Sequence, residues 1–263
     1  MILIGFGVVI ALAAAVRSTW SPCGLSMLSQ ISPMAEAGRG RKFGRTASWF
    51  IAGAVVGGLT LGCGIAVGAI AFAATGLGET PAIALVIGGA FACAAVDTRV
   101  LGFGPPFLCR QVNQDWLLNY RPWVYGGGFG WQIGAGVTTY VMTAAVPLMI
   151  LVGALGTNPW IALAIGAAFG LVRGLAVLLG ARLRTPAALT AFHRRFDALA
   201  EPVRQAVIGV QLGVAAVAAW IVAPTFVAAG ITIAGIALIA WSRAHASRAD
   251  ARAGARELFP VVT

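Results

Sequence analysis

The stretch TASWFIAGAVVGGLTLGCGIAVGAIAFAATGLG, residues 46–78, holds no charged side chain. A transmembrane helix needs about 20 consecutive apolar residues, so this stretch alone is long enough to cross a bilayer. Other uncharged stretches cover residues 2–16, 80–96, 122–172 and 205–242. The sequence therefore predicts an all-α polytopic membrane protein.

The composition of the whole chain agrees with this prediction. Of its 263 residues, 59% are hydrophobic and 10% are charged, whereas an average soluble domain has about 25% charged residues. The mean hydropathy is +0.90. So few charges do not cover a water-facing surface. The composition thus excludes a secreted mini-protein, a disordered chain and an ordinary cytosolic enzyme.

Turn signals divide the two longest uncharged stretches. The segment Gly156–Pro159 interrupts the first, and Ala223-Pro224 interrupts the second. Residues 1–242 are predicted to form a single transmembrane domain, followed by a basic cytoplasmic tail at 243–263. About seven spans are predicted, the first of them irregular: residues 2–30, 47–75, 80–97, 126–154, 158–181, 203–222 and 225–242.

The positions of the basic residues predict the orientation. All 18 except Arg17 and Arg173 lie in the first, third or fifth connection or in the C-terminal tail. Because Lys and Arg are retained on the cytoplasmic side, the N-terminus is predicted outside and the C-terminus inside. Topology and attraction to the lipid bilayer account for the net charge of +10 without a nucleic-acid partner. The amphipathic stretch 186–201 is predicted to lie in the cytoplasmic interface or to dock a partner.

Two parts of the chain match at a shared offset. Residues 20–24 correspond to 131–135, and residues 58–62 correspond to 170–174. A unit of three spans that occurs twice is inverted, because three crossings reverse the chain direction. We predict an inverted 3+3 repeat plus one extra C-terminal helix: repeat 1 at about 1–103, repeat 2 at about 125–222 and the extra helix at 225–242. The loop 104–125 joins the repeats or docks a cytoplasmic partner.

The first span of each predicted repeat contains a break. Pro22 interrupts the first, and a series of glycines from Gly126 to Gly136 interrupts the second. Irregular backbone at membrane depth lies against protein or water, which favours a binding site at the breaks. The alternative is a kinked helix packed through small residues. The candidate binding residues are Pro22, Trp131, Gln132, Gly134 and Arg173.

Two arginines lie inside predicted spans, Arg17 in the first and Arg173 in the fifth. An arginine at mid-bilayer costs roughly 2.5–3.5 kcal/mol on insertion scales, so each needs water, a carbonyl or an acid. Asp97 is the nearest acid by predicted depth. The alternatives are binding of an anionic solute, a structural ion pair, and snorkelling of Arg173 toward the cytoplasm.

The cysteines suggest a thiol at the first break. Cys23 follows Pro22, and a nearby cation favours the thiolate form, so Cys23 is the candidate thiol with Arg17 as its electrostatic support. Cys63 and Cys93 lie in apolar spans and are candidates for a second thiol. There is no Cys/His spacing for a metal, so neither a metal nor another cofactor is predicted.

Three segments resemble the cytochrome-c-biogenesis transmembrane family of the CcdA/DsbD type: Ser21-Pro22-Cys23, Phe129-Gly130-Trp131, and residues 169–175 (FGLVRGL). The resemblance covers about residues 1–222. It implies a protein of the bacterial cytoplasmic (inner) membrane that passes reducing equivalents across the bilayer. In that family one cysteine of each repeat forms a reversible disulfide, which cytoplasmic thioredoxin-like proteins reduce. This chain departs from the pattern, because Gly134 stands at the second-repeat cysteine position.

Three functional hypotheses remain open from the sequence. The first is a transmembrane thiol–disulfide electron carrier that uses Cys23, with Cys63 or Cys93 as its partner. The second is a transporter or exporter of a small, anionic solute, with Arg17, Gln132, Arg173 and Gln211 lining its path. The third is a non-catalytic membrane subunit of a redox or maturation complex.

Overall fold

The computed structural model describes residues 2–106 and 120–258, with side chains as far as His245. Cys109 and most of the loop 104–125 lie outside the described residues. A 3₁₀-helix, Ala176–Arg182, directly follows the α-helix that ends at Leu175. The α-helices are α1 (Ile2–Ser18), α2 (Pro22–Gln30), α3 (Pro33–Gly38), α4 (Phe43–Ala74), α5 (Glu79–Thr98), α6 (Pro122–Ala135), α7 (Ala145–Leu155), α8 (Pro159–Leu175), α9 (Pro186–Ala198), α10 (Ala200–Val222) and α11 (Thr225–Leu258).

The helices confirm the polytopic membrane character. Helices α1 and α2 meet at a bend of 65°, and together they are long and apolar enough to count as one span. Most helices also expose large apolar side chains to the outside of the protein, such as Val67, Trp160 and Phe226. Five segments are long and apolar enough to cross a membrane: Phe43–Ala74, Glu79–Thr98, Pro159–Arg182, Pro186–Val222 and Thr225–His245.

The fourth predicted span, residues 126–154, is not one helix. It comprises α6 and α7, with a largely non-helical segment at 136–144 between them. Gly136 has φ of +70°, a left-handed conformation that ends α6 and that glycine adopts without strain. Within residues 2–106 and 120–258, five helical segments, or six with the bent pair α1 and α2, are long and apolar enough to span a membrane. Seven spans and the inverted repeat stay predictions.

Short sequence signals set where several helices begin. Helices α2, α3, α6, α8 and α9 each have proline in the first turn. Proline fits there because its missing N–H has no helical acceptor in any case. Polar residues before four of these helices accept hydrogen bonds from the free N–H groups of the first turn, which replaces bonds the helix itself does not make. These capping residues are Ser21, Ser32, Asn158 and Thr185.

Glycines bring α4 into backbone contact with both α6 and α8. A Cβ added at Gly130 or Gly134 of α6 would overlap the backbone of α4. A Cβ added at Gly166 or Gly170 of α8 would also overlap the backbone of α4. Small residues let membrane helices approach this closely. The predicted close packing through glycines is confirmed, and the three helices α6, α4 and α8 form a glycine layer in which α4 touches both of the others.

The remaining helices pack around this layer. Helix α1 contacts α7 and α8, and α5 contacts α10, which in turn contacts α11. The larger core cluster includes Ile10, Ile65, Met149 and Phe169. A second cluster lies around the first break and includes Cys23. The breaks therefore lie inside the packed protein, at the edge of the glycine layer.

Candidate functional site

The first break lies between α1 and α2. Helix α1 ends at Ser18, and Ser21 caps α2 by accepting a hydrogen bond of 3.1 Å from the Gly24 N–H. Pro22 is the first residue of α2, where it has no N–H to satisfy. The turn is so tight that a Cβ at Gly24 would overlap the Thr19 carbonyl. Residues 17–24 thus fold into a sharp bend between two helices because of their own sequence.

The second break follows α6. Gly134 lies buried against α4, and Gln132 is half-buried, with its carbonyl accepting a hydrogen bond of 2.8 Å from the Thr138 hydroxyl. Trp131 is 38% exposed, and its indole N–H donates to Thr60 of α4 over 3.1 Å. The side chain of Trp131 therefore lies on the outer surface, whereas Gly134 lies in the glycine layer.

Arg173 joins the two breaks. Its side chain is 2% exposed. One guanidinium nitrogen donates to the Ile133 carbonyl over 2.6 Å, and another donates to the Ser18 carbonyl over 3.4 Å. Both carbonyls belong to the last turn of a helix, at the negative end of the helix dipole. Each also accepts a hydrogen bond of 3.2 Å from a backbone N–H of the following turn, Gly136 for Ile133 and Ser21 for Ser18. The Arg173 guanidinium also lies 5.6 Å from the centre of the Phe169 ring.

The described cysteines lie in three different surroundings. Cys23 is buried near the first break, within electrostatic range of Arg173. Cys63 is exposed on α4, and Cys93 is half-buried on α5, where it packs against the larger core cluster. No disulfide joins any two of these three cysteines. The structure therefore brings Arg173, rather than a second described thiol, toward Cys23.

A second polar cluster surrounds Asp97 at the end of α5. One Asp97 carboxylate oxygen accepts from the Thr143 hydroxyl over 2.6 Å and from the Gln211 amide over 2.9 Å. The other oxygen accepts from the Ala144 N–H over 2.7 Å. Arg17 faces the same cluster and is 9% exposed. The prediction that Asp97 is the acid nearest to Arg17 fits this placement, whereas Thr143 was not expected.

A second buried carboxylate belongs to Glu36 of α3. It is fully buried and accepts hydrogen bonds from Arg39, Thr46 and Tyr125. These bonds connect α3 to the beginnings of α4 and α6. No role for Glu36 was predicted from the sequence. The one sequence feature that could have pointed to it is that Glu36 is an acid in a short connection whose other charged residues are basic.

The amphipathic helix α9 covers the first break from one side. The Phe196 ring stacks on Trp20 with ring centres 4.2 Å apart, and the Trp20 indole N–H donates to the Phe196 carbonyl over 2.8 Å. His193 is hydrogen-bonded to Ser29 of α2 over 3.1 Å. The apolar face of α9 therefore packs on α1 and α2, and no group of three or more metal-binding side chains occurs among the described residues.

Comparison with known proteins gives a consistent set of relatives. No protein-family model and no solved structure matches the chain. The chain is 33% identical to the methylamine utilization protein MauF of Paracoccus denitrificans over 178 residues, 65% of this chain and 62% of that protein. It is 32% identical to MauF of Methylorubrum extorquens over 60% of this chain and 56% of that protein. It is 30% identical to MauF of Methylophilus methylotrophus over 67% of this chain and 62% of that protein.

These relatives correct the expectation from the sequence. The identification with the cytochrome-c-biogenesis family is wrong, because the relatives carry the name MauF and none is a CcdA/DsbD-type carrier. The motifs behind it were short, and Ser-Pro at a helix start and glycine series recur for reasons of capping and packing. The thiol–disulfide carrier and its thioredoxin-like partner lose their support with it. The chain is similar to methylamine utilization proteins. It spans less than two thirds of the length of these relatives.

Proposed function

We propose that this chain is a multi-pass membrane protein that serves methylamine utilization. The observation that supports the proposal is the similarity to MauF proteins over about two thirds of the chain. The apolar helices support a role for this chain inside a membrane. The role itself is a proposal, since the similarity covers part of each relative.

A growth experiment tests this role. The gene is deleted in the organism that encodes it, and growth is measured on methylamine and on an unrelated carbon and nitrogen source. We expect loss of growth on methylamine alone, with recovery when the intact gene is returned. Equal growth of the deletion strain on both media would contradict the proposal. A returned Arg45→Gln variant, which removes an exposed charge, serves as a control for expression.

A second candidate function is passage of a small solute. The supporting observation is that Arg173 joins the ends of two broken helices, because broken helices in membrane proteins surround sites for solutes and ions. Flux of small anions into vesicles that contain the purified chain is the direct test. Absence of flux together with a stable partner after gentle solubilisation would favour the membrane-subunit hypothesis instead.

We infer that the N-terminus faces outward and the C-terminus faces the cytoplasm of a bacterial inner membrane. The support is the distribution of basic residues between alternate connections. Fusion of a periplasmic or a cytoplasmic reporter to each end tests the orientation. A C-terminal fusion that is active only in the periplasm would contradict it.

A further inference from the structure

A small cleft lies beside the first break, bordered by α1, α5 and α10. Its cavity volume is about 30 Å³. Its polar walls are Arg17, Asp97, Arg99, Thr143 and Arg204, and its apolar walls include Met142 and Val207. Arg99 is exposed, so the cleft reaches the surface of the protein on that side.

Arg17 faces this cleft with hydrogen bonds unmade. Its Nε and one Nη atom are buried and have no hydrogen-bond partner among the residues that the structure describes. Asp97 is within electrostatic range of Arg17, yet no direct ion pair joins them in the described part of the chain. A buried guanidinium without acceptors is costly, so these donors point to a group that supplies acceptors.

The other carboxylates are already committed. Asp97 accepts three hydrogen bonds from Thr143, Ala144 and Gln211, which fix its orientation. Glu201 forms a two-pronged ion pair with Arg204, with distances of 2.7 and 2.8 Å. Neither carboxylate therefore satisfies the free donors of Arg17.

The charges around the cleft do not balance. Among the residues that the structure describes, three arginines, Arg17, Arg99 and Arg204, face two carboxylates, Asp97 and Glu201. One positive charge is left over in a partly buried place. A buried charge is stable when it is paired, so a single negative charge in the cleft would complete the cluster.

We propose that this cleft binds one small monovalent anion, a halide or a short carboxylate, through Arg17 and Arg99. A cavity of about 30 Å³ has room for one or two water-sized groups, such as a halide or the head of a carboxylate, and the leftover charge fits an anion that carries a single charge. The inference deepens the second candidate function by naming a site and a class of ligand. A site can bind an anion without transporting it. Binding without flux would therefore contradict the transport function but not the anion site.

Binding is measured with the purified full chain in lipid nanodiscs. Thermal unfolding is followed while sodium gluconate is replaced by sodium chloride or sodium acetate at constant ionic strength. A ligand that binds only the folded state raises the unfolding temperature in a saturable way. We expect such a rise with chloride, with acetate or with both, and the two titrations distinguish a halide from a carboxylate ligand.

Three variants assign the effect to the cleft. Arg17→Gln should weaken the apparent affinity at least about tenfold, because one charge-assisted partner is lost. Met142→Trp leaves every arginine in place and should weaken binding by filling the space, which keeps the test valid if Arg17→Gln fails to fold. Arg45→Gln removes an exposed charge elsewhere and should bind like the unaltered chain. An unaltered chain without anion dependence, or equal affinity in Met142→Trp, would overturn the proposal.

Discussion

Replacing Gly58 by alanine should loosen the layer α6–α4–α8. The new Cβ would lie 2.8 Å from the Gly170 Cα and 2.9 Å from the Gly170 nitrogen, and closer still to the Gly166 carbonyl oxygen. Carbon atoms in contact are normally about 3.5–4.0 Å apart, so the two backbones have to separate by about 0.7 Å or more. No side chain lies between them that could rotate away. Overpacking of this kind costs about 1–3 kcal/mol.

Gly64 of the same helix provides the matched control. A Cβ added there meets no atom within 4 Å. Both substitutions gain the same helix propensity, about 1 kcal/mol in water, so their difference isolates the packing. With about 2–4 °C per kcal/mol for a chain of this size, Gly58→Ala should unfold about 2–12 °C below Gly64→Ala. Thermal unfolding of both variants in the same nanodiscs measures this. Equal unfolding temperatures would refute backbone contact between α4 and α8.

Three further substitutions test the polar and aromatic contacts. Arg173→Met, which removes the charged donor from the Ile133 and Ser18 carbonyls, should cost about 3 kcal/mol, and Arg173→Lys less; denaturant titration in mixed micelles compares them. Glu36→Gln should cost about 2 kcal/mol, because its three hydrogen-bond donors lose a negatively charged acceptor and one oxygen becomes an amide nitrogen that does not accept; an unchanged midpoint in the same titration would contradict this. Phe196→Ala removes the ring that stacks on Trp20, so trypsin should cleave α9 about tenfold faster while the global unfolding temperature changes less; unchanged cleavage would mean that this stack does not hold α9.

The helical membrane fold could be predicted because its signals are local. Uncharged length identifies a spanning helix, and Pro22 after Ser21 identifies the beginning of α2. The fourth span was harder to predict, since hydropathy does not distinguish a continuous helix from two half-helices. Helix α6 ends at the left-handed conformation of Gly136. The sequence does not show which of the glycines from Gly126 to Gly136 adopts that conformation.

The partners of the buried charges could not be predicted for a different reason. Arg173 was recognised as unusual, yet its partners are the backbone carbonyls of Ile133 and Ser18, and every residue has such a carbonyl. Asp97 was expected near Arg17 by depth, but Thr143 comes from a segment that was assigned to the middle of a helix. The family resemblance went wrong in the same way, because short motifs that serve capping and packing occur in unrelated membrane proteins.

The glycine layer also determines which parts of the protein are able to move. Helices α6, α4 and α8 touch through their backbones, so none of them slides or tilts past its neighbour without a collision. We expect the three to move as one body, to which Arg173 binds the ends of two half-helices. In α5 and α10, by contrast, a Cβ added at Gly88, Gly209 or Gly213 meets no atom within 4 Å. A movement of helices would therefore meet less backbone obstruction on their side, where the Arg17 cleft has two of its walls.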